Sequence, residues 1–124
     1  MTFTVCKELT FAAGHAIRGH QGGCQNLHGH NYRVRIWVSS RELDALGMVL
    51  DFAELKQLAV EVLGPFDHRV LNDVPPFDTV NTTAELFARH VYDEIAKRLP
   101  DERGLALRKV EVWETDSAGA VYEP

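Results

Sequence analysis

The sequence predicts an α+β fold in which two helices lie on one face of a four-stranded antiparallel sheet. Two stretches with apolar residues at every second position open the chain, two segments with helical apolar spacing follow, and two more alternating stretches close it. At 124 residues the chain has the length of one domain, spanning residues 1–124. The predicted order is therefore strand, strand, helix, helix, strand, strand.

The four predicted strands follow from the alternation of side chains. The first covers Phe3–His15, where most odd positions are apolar, and the second covers residues 28–38, where the apolar positions are even. A glycine-rich loop over residues 18–26 joins them, so we expect an antiparallel hairpin. Residues 105–115 and 119–122 form the last two strands. The sheet face away from the helices is expected to be polar, and other copies of the chain are expected to cover the open edges.

The first helix is predicted from a capping box, because Asp51 and Glu54 occupy the positions that satisfy free backbone N–H groups at a helix start. Gly64, which precedes a proline, ends this helix. Its predicted apolar stripe consists of Phe52, Leu55, Leu58, Ala59, Val62 and Leu63.

The second helix is predicted by the same pattern. Thr82 or Thr83 caps its start, Glu85 completes a capping box with Thr82, and Pro100 closes the segment. Its predicted apolar stripe consists of Leu86, Phe87, Val91, Ile95 and Leu99.

Composition and charge argue against several classes of protein: nucleic-acid-binding, membrane-spanning and disulfide-rich secreted proteins. The formal net charge is −5, so the chain has no global attraction for nucleic acid or for an anionic membrane, and an anionic ligand would need a local cluster of cations. No apolar run approaches the roughly 20 residues of a membrane-spanning helix, and the first residues do not form a signal-peptide pattern. Two cysteines are too few for a disulfide scaffold. We therefore expect a cytoplasmic protein.

Histidines are concentrated near the predicted hairpin. Four of the six histidines fall between His15 and His30. His28 and His30 lie two apart on one strand and so project from the same face, while His15 ends the neighbouring strand. Three neutral imidazoles that converge at one point are typical of an open zinc site with a position left for water or substrate. His20 and His90 receive no functional role.

Cys24 lies four residues before His28, beside the predicted metal site. Two roles are open for its thiol. As a fourth ligand it would close the site and make the zinc structural, whereas as a free thiolate it would be a base directed at a metal-bound substrate. Cys6 lies among threonines in the first strand and is expected to pack as a small side chain.

Two further positions carry ionisable groups. Asp67 precedes His68 in a turn between the helices, where the carboxylate could hold the imidazole in one tautomer, although an ordinary surface turn would have the same composition. Glu114 follows Val110 and Val112 on one face of the third strand. It is either an exposed strand-end residue or a carboxylate placed to accept two parallel N–H bonds from an amidine-like ring edge.

Five motifs occur in order along the chain. They are Cys24-Gln-Asn-Leu-His28-Gly-His30-Asn-Tyr, Asp51-Phe-Ala-Glu-Leu-Lys56, Asp67-His68-Arg-Val-Leu-Asn-Asp73, Asn81-Thr-Thr-Ala-Glu85 and Glu114-Thr115. Their order and spacing resemble the 6-pyruvoyl-tetrahydropterin synthase and 6-carboxytetrahydropterin synthase family over essentially the full chain. The resemblance implies the tunnelling T-fold, in which three subunits close their sheets into a barrel, two such rings form a hexamer, and active sites lie between subunits.

The same resemblance implies the site. It assigns zinc to His15, His28 and His30, acid–base chemistry to Cys24, Asp67 and His68, and pterin binding to Glu114 with help from Thr82 and Thr83. The substrate it implies is 7,8-dihydroneopterin triphosphate. Candidate cations for the triphosphate are Lys7, Arg18, Arg33, Arg35 and Arg69.

Two products are compatible with the resemblance. Three residues separate Cys24 from His28, as in the bacterial 6-carboxytetrahydropterin synthases of 7-deazaguanine (queuosine-type) biosynthesis, which release acetaldehyde. The stretch from Trp113 to Asp116 instead resembles the pyruvoyl-forming branch, and Thr82 occupies a position where many bacterial members have proline. A third branch, which forms 6-hydroxymethyl-dihydropterin, typically has glutamate in place of this cysteine. A non-catalytic domain with a structural zinc held by one cysteine and three histidines is the remaining alternative.

Overall fold

The computed structural model describes the backbone of residues 1–124 and every side chain except that of Glu102. Five strands form one sheet: β1 (Phe3–His15), β2 (His28–Ser40), β3 (Arg69–Val70), β4 (Ala106–Thr115) and β5 (Ala118–Tyr122). The helices are α1 (Phe52–Leu63) and α2 (Ala84–Arg98), and neither is long and apolar enough to cross a lipid bilayer. The order of strands across the sheet is β3-β1-β2-β4-β5.

The predicted hairpin is confirmed in detail. β1 and β2 pair as antiparallel strands from Phe3 opposite Ser40 to His15 opposite His28. β2 also pairs with β4 from Arg33 opposite Trp113, with one register shift next to Trp37. The long β1–β2 ladder therefore brings the histidine-bearing ends of both strands to the same end of the sheet.

The α+β class and the order of the four predicted strands and two helices are also confirmed. β3, which the sequence did not predict, makes the sheet five-stranded: Arg69 and Val70 pair in parallel with Ala13 and Gly14 of β1. Two residues are too few to produce a visible alternation. This short pairing ties the turn at Asp67 to the end of β1.

The core lies between the helices and one face of the sheet. The even positions of β2 from Tyr32 to Val38 are all buried, and aromatic side chains from both layers meet there. Phe11, Phe66, Phe77 and Phe87 form a connected group of rings with centroids 5.2–5.7 Å apart. This packing fixes the helix layer against the end of the sheet that carries the histidines.

Both helix starts differ from the predicted capping boxes. Asp51 caps α1 by accepting from the Ala53 N–H at 2.8 Å, but Glu54 bonds to Arg103 at 2.8 Å instead of reaching back to the cap. Thr83, and not Thr82, caps α2. Phe52 was wrongly placed in the apolar stripe: it is 53% exposed, because it lies at the first position of α1, outside the core.

The sheet face away from the helices is polar, as expected, yet part of it is buried. Glu111 is only 7% exposed, and its carboxylate accepts hydrogen bonds from the indole N–H groups of Trp37 and Trp113. Arg35 lies beside it, 3.8 Å from Glu111 and 2.7 Å from Glu8. This cluster was not predicted from the sequence, where two tryptophans at odd strand positions are its one visible sign.

Candidate metal centre

The structure brings together the three histidines that the sequence singled out. His15 and His28 face each other across the β1–β2 ladder, and His30 lies two residues further along β2. The possible ligand atoms of the three imidazoles all lie within 4.8 Å of one another. His15 is fully buried, whereas His28 and His30 are partly exposed. The group can hold a metal ion and remain open on one side.

Backbone carbonyls fix the orientation of two of these rings. The Nδ1–H of His15 donates to the Thr82 carbonyl at 2.8 Å, and the Nδ1–H of His28 donates to the Asn26 carbonyl at 2.7 Å. A carbonyl can only accept, so the proton must be on Nδ1 and the Nε2 lone pair is free. Hydrogen bonds of this type are the usual outer support of metal-binding histidines.

The atoms at the centre suit a cation. His15 Nε2 lies 3.1 Å from His30 Nε2, and Glu114 Oε2 lies 3.3 Å and 3.7 Å from the same two nitrogens. Two ring nitrogens and a carboxylate oxygen, all of which can accept hydrogen bonds, thus lie close together with few N–H donors between them. Burial lowers the pKa of His15 and also that of His30, which favours the neutral form that a metal requires. Neutral nitrogen donors of this kind fit zinc.

A network of side chains holds the chain after β1 and thereby His15. Asn72 Oδ1 accepts from the Ala16 N–H at 2.9 Å, and Asn72 Nδ2 donates to the Ala16 carbonyl at 2.8 Å. Asn81 makes the same pair of bonds to the backbone of Arg18, both at 3.0 Å. The Thr82 hydroxyl also donates to the Ala16 carbonyl at 3.1 Å. Asn72 and Asn81 were not predicted as site residues, although both occur within the five motifs.

The two threonines and Arg18 have structural partners. Thr82 is 1% exposed, and Thr83 Oγ1 accepts from the Leu86 N–H at 3.2 Å as the cap of α2. The Arg18 guanidinium donates to the Phe77 carbonyl at 2.7 Å and to the Val80 carbonyl at 3.0 Å. Arg18 therefore holds a loop, and a triphosphate would have to compete with these carbonyls for its N–H groups.

Cys24 lies in a single-turn helix, Gly23–Gln25, between β1 and β2. Its thiol is half-buried, and its carbonyl accepts from the Ile17 N–H at 2.8 Å. Among the described side chains, the group of possible metal ligands contains the three histidines without Cys24. The cysteine thus lies in the loop next to the histidines, outside their close group.

Asp67 and His68 form a defined pair at the sheet edge. Asp67 Oδ1 lies 2.9 Å from His68 Nδ1 and accepts from the Ala12 N–H at 3.1 Å. The His68 N–H donates to the Ala12 carbonyl at 2.6 Å, and His68 has a positive φ of 60°, which is uncommon for a residue with a side chain. The contact that the sequence predicted between this carboxylate and this imidazole is present.

A cavity of about 490 Å³ opens beside His68. Its sheet residues come from both faces: Ala12, Gly14 and Gly29 alternate with the three histidines, whereas Ala13 shares their face. Arg69 and His30 also line it. His68 and His30 of the three-histidine group therefore line the same cavity.

The remaining histidines and Cys6 stay outside the site. His20 is exposed and accepts from the Gly22 N–H at 2.9 Å. His90 is half-buried between Phe66 and Phe77, with ring centroids 5.5 Å and 5.4 Å away, and burial lowers its pKa. Burial raises the pKa of the Cys6 thiol, which fits its predicted packing role.

Comparison with known proteins gives consistent matches over nearly the full chain. The family model described as 6-pyruvoyl tetrahydropterin synthase matches residues 4–124. The chain is 31% identical to 6-carboxy-5,6,7,8-tetrahydropterin synthase of Haemophilus influenzae, with 98% of this chain and 99% of that protein covered. It is 35% identical to human 6-pyruvoyl tetrahydrobiopterin synthase, with 96% and 90% covered. The solved structure of Caenorhabditis elegans 6-pyruvoyl tetrahydropterin synthase matches with a TM-score of 0.88 and 29% identity, over 100% of this chain and 96% of that one.

Proposed function

Because the chain belongs to the 6-pyruvoyl tetrahydropterin synthase family, we propose that it is a zinc-dependent lyase acting on 7,8-dihydroneopterin triphosphate. The proposed products are 6-carboxy-5,6,7,8-tetrahydropterin, acetaldehyde and triphosphate. The observation that carries the proposal is the group of three imidazoles, two of them oriented by backbone carbonyls, with ligand atoms within 4.8 Å of one another. A metal ion held by these histidines would act as a Lewis acid toward the substrate's hydroxyl-bearing side chain.

Side chains of the protein bind the pterin and transfer protons. Glu114 accepts parallel N–H bonds from the amidine edge of the pterin and so orients the ring. Cys24 moves a proton as a thiolate base from the loop beside the histidines. Asp67 holds the His68 ring through the 2.9 Å contact at Nδ1, and His68 exchanges a hydroxyl proton through its other nitrogen. Thr82 and Thr83 support the pterin at the start of α2.

Assembly is part of the proposal. The family resemblance implies active sites that lie between subunits, so we propose that a second copy of the chain completes the site. Both sheet edges are available for this: β5 pairs only with β4, and β1 pairs with β3 only at Ala13 and Gly14. We propose a homo-oligomer, a hexamer made of two trimeric barrels, that works in the cytoplasm.

Among the candidate cations, Arg69 has the best position for the triphosphate. It lines the cavity beside His68, and it makes no ion pair with any side chain that the structure describes. Arg35 is paired with Glu8, and Arg33 lies 3.4 Å from Asp116. A free guanidinium can bind a phosphate through two parallel N–H bonds without first losing another partner.

The carboxy product is favoured by the three-residue spacing between Cys24 and His28, and the curated relatives include several proteins named 6-carboxy-5,6,7,8-tetrahydropterin synthase. This product belongs to the 7-deazaguanine (queuosine-type) pathway. The second candidate is the pyruvoyl product, which is supported by the stretch from Trp113 to Asp116 and by the relative named 6-pyruvoyl tetrahydrobiopterin synthase.

Product analysis tests the proposal. The zinc-loaded protein is incubated with 7,8-dihydroneopterin triphosphate, and acetaldehyde and triphosphate are both measured. We expect the two to appear in equal amounts, because loss of the terminal two-carbon unit accompanies loss of triphosphate. Triphosphate without acetaldehyde would identify the pyruvoyl-forming reaction instead, and release of neither would contradict the proposed enzyme.

A further inference from the structure

Tyr32 carries an unexplained hydroxyl close to the metal centre. It lies on β2 two residues after His30 and is 1% exposed. Its hydroxyl oxygen is the one buried side-chain polar atom without a hydrogen-bond partner in the part of the chain that the structure describes. A buried hydroxyl is normally paired, since leaving it unpaired is unfavourable. The Tyr32 hydroxyl is therefore available to donate a hydrogen bond to an acceptor that moves next to it.

The surroundings of Tyr32 limit what that acceptor can be. Its ring stacks on Phe11 at 4.8 Å, and it meets the rings of His15 and His30 at centroid distances of 5.9 Å and 5.3 Å. The Tyr32 ring thus packs against other rings. His15 Nδ1 cannot accept from the Tyr32 hydroxyl, because its N–H already donates to the Thr82 carbonyl. An acceptor on the neighbouring strand β4 is the simplest partner.

Glu114 is such an acceptor. The last β2–β4 pair is Arg33 opposite Trp113, so the next step of the antiparallel register sets Tyr32 opposite Glu114, on the same face of the sheet. Side chains in opposed positions lie within contact range. A register shift between Trp113 and Thr115 marks a bulge at this point, and bulges redirect side chains.

The Glu114 carboxylate now lies where a metal would bind. Its Oε2 is 3.3 Å from His15 Nε2 and 3.7 Å from His30 Nε2. Metal–nitrogen bonds of about 2.1 Å would bring a cation into the space between these atoms. The carboxylate must then either become a ligand itself or move away from the imidazoles.

We infer that Tyr32 is the positioning residue for Glu114 in the metal-loaded protein. With a metal held by His15, His28 and His30, the Glu114 carboxylate would move off the imidazoles, and the Tyr32 hydroxyl would donate a hydrogen bond that holds the carboxylate in place for the pterin. Metal binding and pterin binding are thereby coupled through one side chain. The pterin part of this inference rests on the proposed function, whereas the metal part does not.

Two readouts test the inference in Tyr32→Phe, which keeps the ring and removes only the hydroxyl. The first uses Zn²⁺ alone: the rise in melting temperature caused by zinc should be smaller in Tyr32→Phe than in the wild type, while the metal-free variant should be at least as stable as the wild type. The second is the affinity of the zinc-loaded protein for neopterin, measured by fluorescence, which should fall about tenfold through loss of one hydrogen bond to a charged group.

A double-mutant cycle separates positioning from general damage. In a Glu114→Ala background, Tyr32→Phe should change neither the zinc-induced shift nor the neopterin affinity by more than about twofold, because the acceptor is gone. Tyr92→Phe is the matched control, since the Tyr92 hydroxyl donates to the Leu107 carbonyl at 3.0 Å away from the site. It should lower stability equally with and without zinc and leave neopterin affinity unchanged.

Three outcomes are informative. The inference is overturned if Tyr32→Phe leaves both the zinc-induced shift and the neopterin affinity unchanged. It is also overturned if Glu114→Ala weakens zinc binding 100-fold or more, the loss expected when a metal loses a direct ligand (about 3 kcal/mol). If the wild type binds no neopterin but the zinc-induced shifts behave as expected, the proposed function fails and the Tyr32–Glu114 coupling stands.

Discussion

Replacing His30 with alanine is expected to weaken zinc binding by roughly 1000-fold and to reduce turnover of 7,8-dihydroneopterin triphosphate to background. The reason is that the group would keep two of its three nitrogen ligands, and two ligands do not hold zinc against dialysis. His30 is the suitable position because it is only partly buried on β2, whereas the fully buried His15 also supports the fold. Zinc per chain after dialysis and the steady-state rate measure the effect.

His20→Ala is the matched control. This histidine lies in the loop between β1 and β2 and is exposed, and its imidazole accepts a hydrogen bond from the Gly22 N–H. We expect it to retain one zinc per chain and wild-type turnover. If the His30→Ala protein still holds one zinc per chain after dialysis, His30 is not a zinc ligand.

Cys24→Ala is expected to lower turnover by roughly 100- to 10,000-fold, the range found when a positioned acid–base group is removed. Zinc content should stay at one per chain, because Cys24 lies outside the close group of three histidines. The melting temperature of the zinc-loaded protein should change little, since the thiol is only half-buried and the loop backbone keeps its bond from Ile17. Zinc content, rate and melting temperature are measured on the same sample.

Cys6→Ala provides the comparison for Cys24→Ala. Cys6 is a half-buried thiol of β1, far along the strand from His15, and its pKa is raised by burial. It should leave turnover unchanged. If Cys24→Ala instead loses its zinc and unfolds, the cysteine is a fourth ligand and the site is structural.

The parts of the site that come from one hairpin were predictable from sequence. Alternation of apolar and polar residues over β1 and β2 indicates which face each side chain occupies, and the hairpin connection brings His15 opposite His28. Glu114 followed from the same rule, because it shares a face with the buried Val110 and Val112. Alternation is a local property, so the sequence is enough to determine it.

The parts that depend on distant loops were not predictable. The Thr82 carbonyl that orients His15 is 67 residues away along the chain. The side-chain amides of Asn72 and Asn81 bond to backbone groups that are 56 and 63 residues away. A backbone carbonyl has no sequence signature, and an asparagine in a loop is commonplace. Glu111 was missed for a related reason: its burial depends on two tryptophans from neighbouring strand positions.

The most direct test of the three-histidine centre is zinc X-ray absorption spectroscopy on the zinc-loaded wild type. We expect zinc to be coordinated by nitrogen and oxygen only, at about 2.0–2.1 Å, with the multiple-scattering pattern of three imidazoles. Cys24→Ala should give the same spectrum. A sulfur ligand at about 2.3 Å in the wild type that disappears in Cys24→Ala would contradict the open catalytic site and establish the closed structural one.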